Sequence, residues 1–180
     1  MESNQGRQLV AMLVMAISAS GAGFAAWKAN EGFTANAVVP TQGDVPTIGH
    51  GSTHYEDGSK VSMSDPPITR KRAGELALNL MTADAKQFTE TLKFDTELDP
   101  VEFNVYMDFI GQYGIGTWRG SSMRRQINAG EYAGACKSLL KYRFAAKYDC
   151  STTVNGRPNK RCWGVWTRQL QRHNQCMEVQ

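Results

Sequence analysis

The longest uninterrupted apolar stretch lies near the amino terminus. Residues 9–27 read LVAMLVMAISASGAGFAAW, nineteen positions without a charge. As a helix this run would rise about 28 Å, roughly one hydrocarbon thickness. Ten of the nineteen are Ala, Gly or Ser, so little apolar area is gained in lipid and the anchor is weak. The run can be a cleaved secretory signal, with Ser18-Ala19-Ser20 as the cleavage site, or a permanent span. It can also be a marginal signal-anchor that inserts and later leaves the bilayer, and its small-residue content favours this third reading. Each reading carries the rest of the chain across a membrane. The expected organisation is a releasable segment over 1–27 and one domain over 28–180.

The pattern changes after Trp27. Lys28 to Phe33 reads as a short polar helix end, and residues 34–67 are rich in Gly, Pro, Thr and Ser. Within them Val45 to Thr53 alternates like a strand and Tyr55 to Ser59 reads as a turn, which predicts a small β-hairpin. Asp65-Pro66-Pro67 breaks the chain and Thr69 is placed to cap a helix. Leu76, Leu80, Ala83 and Phe88 recur at helical spacing over Arg70 to about Leu92. A second helix starts at Asp99-Pro100, with Phe103, Tyr106, Met107 and Ile110 on one face, and Gly111 and Gly114 are expected to end it. Shorter helices follow over 121–128 and 131–142. Residues 148–161 read as a polar loop, and a last helix runs from about Trp163 to Gln175. The sum is an α+β chain, mostly helical, with a hairpin near its amino-terminal end and a helical carboxy-terminal lobe.

Composition narrows the class. The chain has 180 residues, 41% hydrophobic and 21% charged, enough for one domain with a core. A disordered chain, a collagen-like repeat and a multi-span membrane protein are excluded. Net charge is +3, which suits an anionic partner without choosing among nucleic acid, cell wall and lipid. There is no phosphate loop, no Ser-His-Asp arrangement and no nucleic-acid motif. The four cysteines, Cys136, Cys150, Cys162 and Cys176, include no CxxC pair. In an exported chain they read as two disulfides, for which three pairings exist. Cys150 and Cys162 bracket a Gly/Pro/Asn loop that can close locally. His50 and His54 have no third histidine nearby, so neither a metal nor any other cofactor is expected.

Several motifs stand in a fixed order. Glu31-Gly32-Phe33 is followed by Gly43-Asp44-Val45-Pro46-Thr47-Ile48-Gly49-His50-Gly51-Ser52-Thr53. Next come Phe109 to Trp118, Ser121-Ser122-Met123, Ile127-Asn128-Ala129-Gly130 and Gly164-Val165-Trp166-Thr167-Arg168. This series resembles the phage-type, T4-lysozyme-like glycoside hydrolases of family 24, over about residues 28–176. With the weak leader, it is most similar to the signal-anchor-release endolysins of bacteriophages. The chain departs from the family pattern in one loop. The family aspartate position is Thr41 here, and Asp44 stands only three residues before Thr47. Gln112 replaces the family asparagine.

The resemblance implies cleavage of the β-1,4 bond between N-acetylmuramic acid and N-acetylglucosamine. Such cleavage needs an acid to protonate the leaving-group oxygen as an oxocarbenium-like centre forms, and partial burial can tune a carboxyl for this. Glu31, at a helix end facing a cleft, is the expected acid. Asp44 is the candidate second carboxylate, and the Thr47 hydroxyl would hold the attacking water. Gly49 and Gly51 would let sugar approach the backbone closely. Arg124, Arg125, Lys141 and Arg143 would either meet peptidoglycan carboxylates or form a solvated helix face. Related endolysins tie the same two helices together, which implies Cys136–Cys176 and leaves Cys150–Cys162 as the second pair. The implied protein is a monomer acting on peptidoglycan, held first in the host inner membrane and then released to the periplasm, with no nucleic-acid partner. A lytic transglycosylase on the same bond and a non-catalytic wall-binding module are the alternatives.

Overall fold

A computed structural model describes residues 7–10, 32–40, 44–154, 156–158 and 161–180. The expectations for residues 11–27, Glu31 and Thr41 lie outside these residues. In chain order the elements are β1 Gln8–Leu9, β2 Thr34–Val38, β3 Thr47–Gly49, α1 Arg70–Glu90, β4 Glu97–Leu98, α2 Pro100–Gly120, α3 Ser122–Asn128 and α4 Tyr132–Ser138. A 3-10 turn Leu139–Lys141 follows, then β5 Phe144–Ala145, β6 Tyr148–Asp149, β7 Thr153–Val154, β8 Arg157–Pro158 and α5 Trp163–Met177. The strands form antiparallel pairs, β1 with β4, β2 with β3, β5 with β6 and β7 with β8. This is the α+β, mostly helical architecture the periodicity predicts. No helix among the described residues is long and apolar enough to cross a membrane.

Contacts divide the chain into two units, residues 11–86 and residues 1–10 with 87–180. The first is built on the β2–β3 hairpin. Ala37, Ile48, Val61 and Leu76 are buried together, with Tyr55, Ile68 and Leu80 packed against them. Thr69 caps α1 as expected, accepting from the Arg72 amide. Arg72 grips both carboxylate oxygens of Glu56, and Asn79 donates to the same group. These bonds, Arg72's first, hold the Glu56 carboxyl down at about 2. The strand expected over 45–53 shortens to Thr47–Gly49. Gly49 and Gly51 take positive φ, and the chain folds back so that Ile48 bridges Ser52.

The second unit packs around Trp118, which is fully buried. The Phe88, Tyr106 and Phe109 rings surround it with centroids 5.0, 5.3 and 6.5 Å away. Its indole N–H donates to Thr91 Oγ1 at 2.8 Å, so no buried polar atom is wasted there. Gly114 does break α2, with φ 79 and ψ 156, but the helix resumes and runs on to Gly120. Gly111 does not interrupt it. Resumption is favoured because the second half carries Trp118 into the core.

Both disulfides form as expected, Cys136–Cys176 joining α4 to α5 and Cys150–Cys162 closing a local loop. A buried arginine adds a second tie between helices. Arg172, on α5, donates to the Asp108 carboxylate, the Asp108 carbonyl and Gln112 Oε1. Burial pushes the Asp108 carboxyl up, but hydrogen bonds from Arg168 and Arg172 outweigh it and leave it below its ordinary value. Gln112, in the family asparagine position, is thus part of this ion-pair network. Within the polar loop expected over 148–161, the described residues include β6, paired with β5, and the β7–β8 hairpin, which the Cys150–Cys162 disulfide brackets.

The first described residues belong to this second unit. Gln8 and Leu9 pair with Leu98 and Glu97, and Val10 is buried. Arg7 meets Glu102 at 3.0 Å, with side chains 10% and 0% exposed. Its guanidinium also lies 3.6 Å above the Tyr132 ring. Glu102 further completes the α2 capping box by accepting from the Asp99 amide, and the last residue, Gln180, donates to it as well. Burial pushes the Glu102 carboxyl up, against the opposing pull of the Asp99 amide and Arg7. Arg7→Ala should therefore cost roughly 3–5 kcal/mol near neutral pH, the scale of a broken buried ion pair. Burial makes the folded chain bind a proton at Glu102 more readily than the unfolded chain even beside Arg7, and removing Arg7 strengthens that preference. The loss should then shrink as pH falls from neutral toward the ordinary glutamate value. Denaturant titrations of both proteins check this, and a loss independent of pH would show that the pair is not ionic.

Candidate functional site

The hairpin that carries the expected site is held by its register. Thr34 lies opposite Gly49 and Val38 opposite Thr47, with an irregularity between these pairs. Thr47 is half-buried and its hydroxyl donates to the Val38 carbonyl at 3.4 Å. That leaves the Oγ1 lone pairs as acceptors for a water proton. Asp44 stands on the same connection and is exposed, so its carboxylate is open to solvent or substrate. A cavity of about 320 Å³ adjoins this connection, lined by Val45, Pro46, Thr53, His54, Lys60 and Val61.

Glu31 lies outside the described residues, but the residue after it is fixed. The Gly32 carbonyl accepts from His50 Nδ1 at 2.9 Å. A carbonyl cannot donate, so this contact assigns the ring proton to Nδ1. The next residue is held as firmly. The Phe33 ring lies 5.8 Å from the His50 ring, and the Arg70 guanidinium sits 4.4 Å over it. His50 is 92% buried, with 8% of its surface exposed. It therefore links the backbone beside Glu31 to the turn three residues after Thr47. Sequence reasoning weighed His50 only as a metal ligand. Its place directly after Thr-Ile-Gly was the available signal for a positioning role.

The two glycines have different reasons. Gly49 has φ +67, and a Cβ there would come within 2.9 Å of Ala73 Cβ and 3.2 Å of Ile68 Cδ1. Helix α1 packs where its side chain would be, which explains Gly49 without a ligand. Gly51 has φ +88 and nothing within 4 Å of a built Cβ, so its surroundings are open. Half-buried Asp84, on α1, has a carboxyl raised by burial and opposed by nearby His54. Among the described residues, ligand atoms converge only at Glu102, Cys136 and Cys176. Both of those sulfurs are in the disulfide, so this cluster is not a metal site.

The phage lysozyme family matches residues 28–161, a span that includes the hairpin and most of the second unit. The chain belongs to the phage lysozyme family. It is accordingly a lysozyme-type glycosidase with peptidoglycan as its substrate class. Solved structures share its fold at low identity. An endolysin from Escherichia coli O157:H7 phage FAHEc1 is 21% identical with a TM-score of 0.64, over 89% of this chain and 94% of that one. A point mutant of P22 lysozyme is 23% identical with a TM-score of 0.60, over 88% and 97%. The muramidase domain of SpmX from Asticaccaulis excentricus is 19% identical with a TM-score of 0.57, over 89% and 95%. No match was found among curated protein sequences.

In this phage lysozyme the glycine geometry makes a direct comparison possible. Gly51→Ala should lose about 1–2 kcal/mol, the cost of placing an L side chain in left-handed backbone. Gly49→Ala should lose clearly more, because it adds the collision with Ala73 to the same backbone term. Urea unfolding of the two variants measures the difference, and equal losses would mean α1 can shift to admit the methyl group.

Proposed function

We propose that this phage lysozyme is an endolysin that hydrolyses the β-1,4 bond between N-acetylmuramic acid and N-acetylglucosamine, with Glu31 as general acid. The observation that carries the reading is the His50–Gly32 hydrogen bond, which couples the backbone next to Glu31 to the hairpin bearing Thr47. Glu31 gives its proton to the leaving sugar oxygen as the glycosidic C–O bond breaks. The water donates one hydrogen bond to Thr47 Oγ1 and attacks the anomeric carbon. Asp44 is exposed on the same connection and supplies the carboxylate that takes the water's other proton. Gly51 leaves open space where sugar can approach the backbone.

Glu31→Gln keeps the shape and removes the transferable proton. Lysis of outer-membrane-permeabilised Gram-negative cells should fall by roughly 10²–10⁴-fold, with the unfolding transition retained. A Glu31→Gln protein that clears cells at the unmodified rate would remove Glu31 from the mechanism. Released reducing ends support hydrolysis, whereas anhydro-muramic ends would assign the chain to transglycosylation.

Delivery belongs to the same proposal. The weak apolar run over 9–27 carries the enzyme to the inner membrane, and release places it in the periplasm. Two disulfides support an oxidising destination. Fractionation before and after depolarisation should move the full-length chain from membrane to soluble fractions. A soluble form that always lacks residues 1–20 would instead establish a cleaved signal.

A further inference from the structure

The chain's positive charge is not evenly spread. Six basic residues and one acid fall between 141 and 161, giving that stretch +5. The other residues hold 14 basic groups against 16 acidic ones, net −2. The entire excess charge of the protein therefore sits on the segment that carries β5–β6 and β7–β8.

The described residues of this segment form two paired hairpins. The β5–β6 hairpin turns through Ala146 and Lys147, both left-handed with φ 47 and 69. That geometry matches the twist of a two-residue hairpin and puts the Lys147 side chain at its tip. Cys150–Cys162 staples the base of the second hairpin. Arg143 is tied to Asp149 at 3.0 Å and lies 5.3 Å from the Phe144 ring. The Arg161 guanidinium lies 3.8 Å over Tyr148. Phe144 and Tyr148 are 53% and 43% exposed. Lys147 and Arg157 are exposed, and neither has an acidic partner among the described residues.

We propose that this stapled basic arm is a second substrate contact, which binds the carboxylates of peptidoglycan peptide stems. The inference rests on peptidoglycan being the substrate. In that polymer the N-acetylated sugars are neutral, and the ionised carboxylates are on the peptides. A surface made for sugar alone needs no net charge, whereas a +5 arm answers the peptides. The two exposed aromatic rings each carry a guanidinium beside or above them. A membrane-inserting tip would need those rings bare, so the arm suits carboxylates and short apolar peptide side chains better than lipid.

The test uses the full-length chain and a Lys147→Glu, Arg157→Glu double variant, with Lys147→Gln, Arg157→Gln as a milder second form. Sedimentation measures retention on purified sacculi, on sacculi whose carboxylates have been amidated, and on phosphatidylglycerol vesicles. Reducing-end release is followed on peptide-free glycan strands whose freed lactyl carboxylates have been amidated. Retention on untreated sacculi should fall roughly tenfold in the charge-reversed variant, by an intermediate amount in the neutral one, and by a similar factor for the unmodified chain after amidation. These differences should vanish near 1 M salt, where the Debye length is about 3 Å. Release from peptide-free strands should be the same in all three proteins. Unchanged retention in both variants would overturn the proposal, as would equal binding of the unmodified chain to amidated sacculi. Loss confined to the vesicles would reassign the arm to lipid. If the unmodified chain cleaves no strand at all, the catalytic reading fails, while the sedimentation result still decides the arm.

Discussion

A fully buried carboxylate at the start of α2 organises the second unit. Glu102 accepts from the Asp99 amide, pairs with Arg7 and is reached by Gln180. A charge in that position would be costly without partners, because each ion leaving water loses several kcal/mol of hydration. The partners come from both ends of the chain. One side chain therefore sets where α2 begins and where residues 7–10 lie, and it holds the carboxy terminus at the same point. With the start of α2 set, Phe103, Tyr106 and Phe109 follow at helical spacing. Their rings meet Trp118 beyond the break at Gly114, so the aromatic core inherits its geometry from a capping contact.

Hydrophobic period read the long elements well. Leu76 and Leu80 place α1, and Phe103, Tyr106 and Ile110 place α2, because burial of one face leaves a repeat near 3.6 residues. The same signal says nothing about Glu102 or Arg172. Both are charged residues buried through partners 95 and 64 positions away, and no local pattern encodes such pairing. It also missed β5 to β8, since strands of two residues cannot show an alternation. Gly114 was legible as a break but not as a kink, because the resumption depends on Trp118 finding the core.

The candidate site was legible mainly through motif order. Thr47 and its hairpin follow from Thr-Ile-Gly and the turn residues around it. The roles of the flanking residues required coordinates. Gly49 reads as an opening for substrate until Ala73 is seen where its side chain would stand. His50 reads as a stray metal ligand until its Nδ1 is found on the Gly32 carbonyl. In both cases the sequence records a special residue type, and only tertiary contact says whether a helix, a backbone group or a sugar requires it.

Residues 7–10 connect the fold to the question of delivery. Leu9 and Val10 open the uncharged run that the sequence offers to a bilayer, yet here they are strand-paired to Glu97 and packed into the second unit. One residue cannot occupy both places. A state with 9–27 in lipid must therefore lack the β1–β4 pair and the burial of Val10, and must leave Glu102 without Arg7. The leader's small residues keep its gain in lipid low, while the folded alternative offers Arg7 a buried ion pair and a ring contact, pairs Gln8 and Leu9 in a strand and buries Val10. In the proposed delivery route, the balance between bilayer and domain therefore depends on residues 7–10 as well as on the apolar run. A change at Arg7 would shift it without altering a single residue of the span.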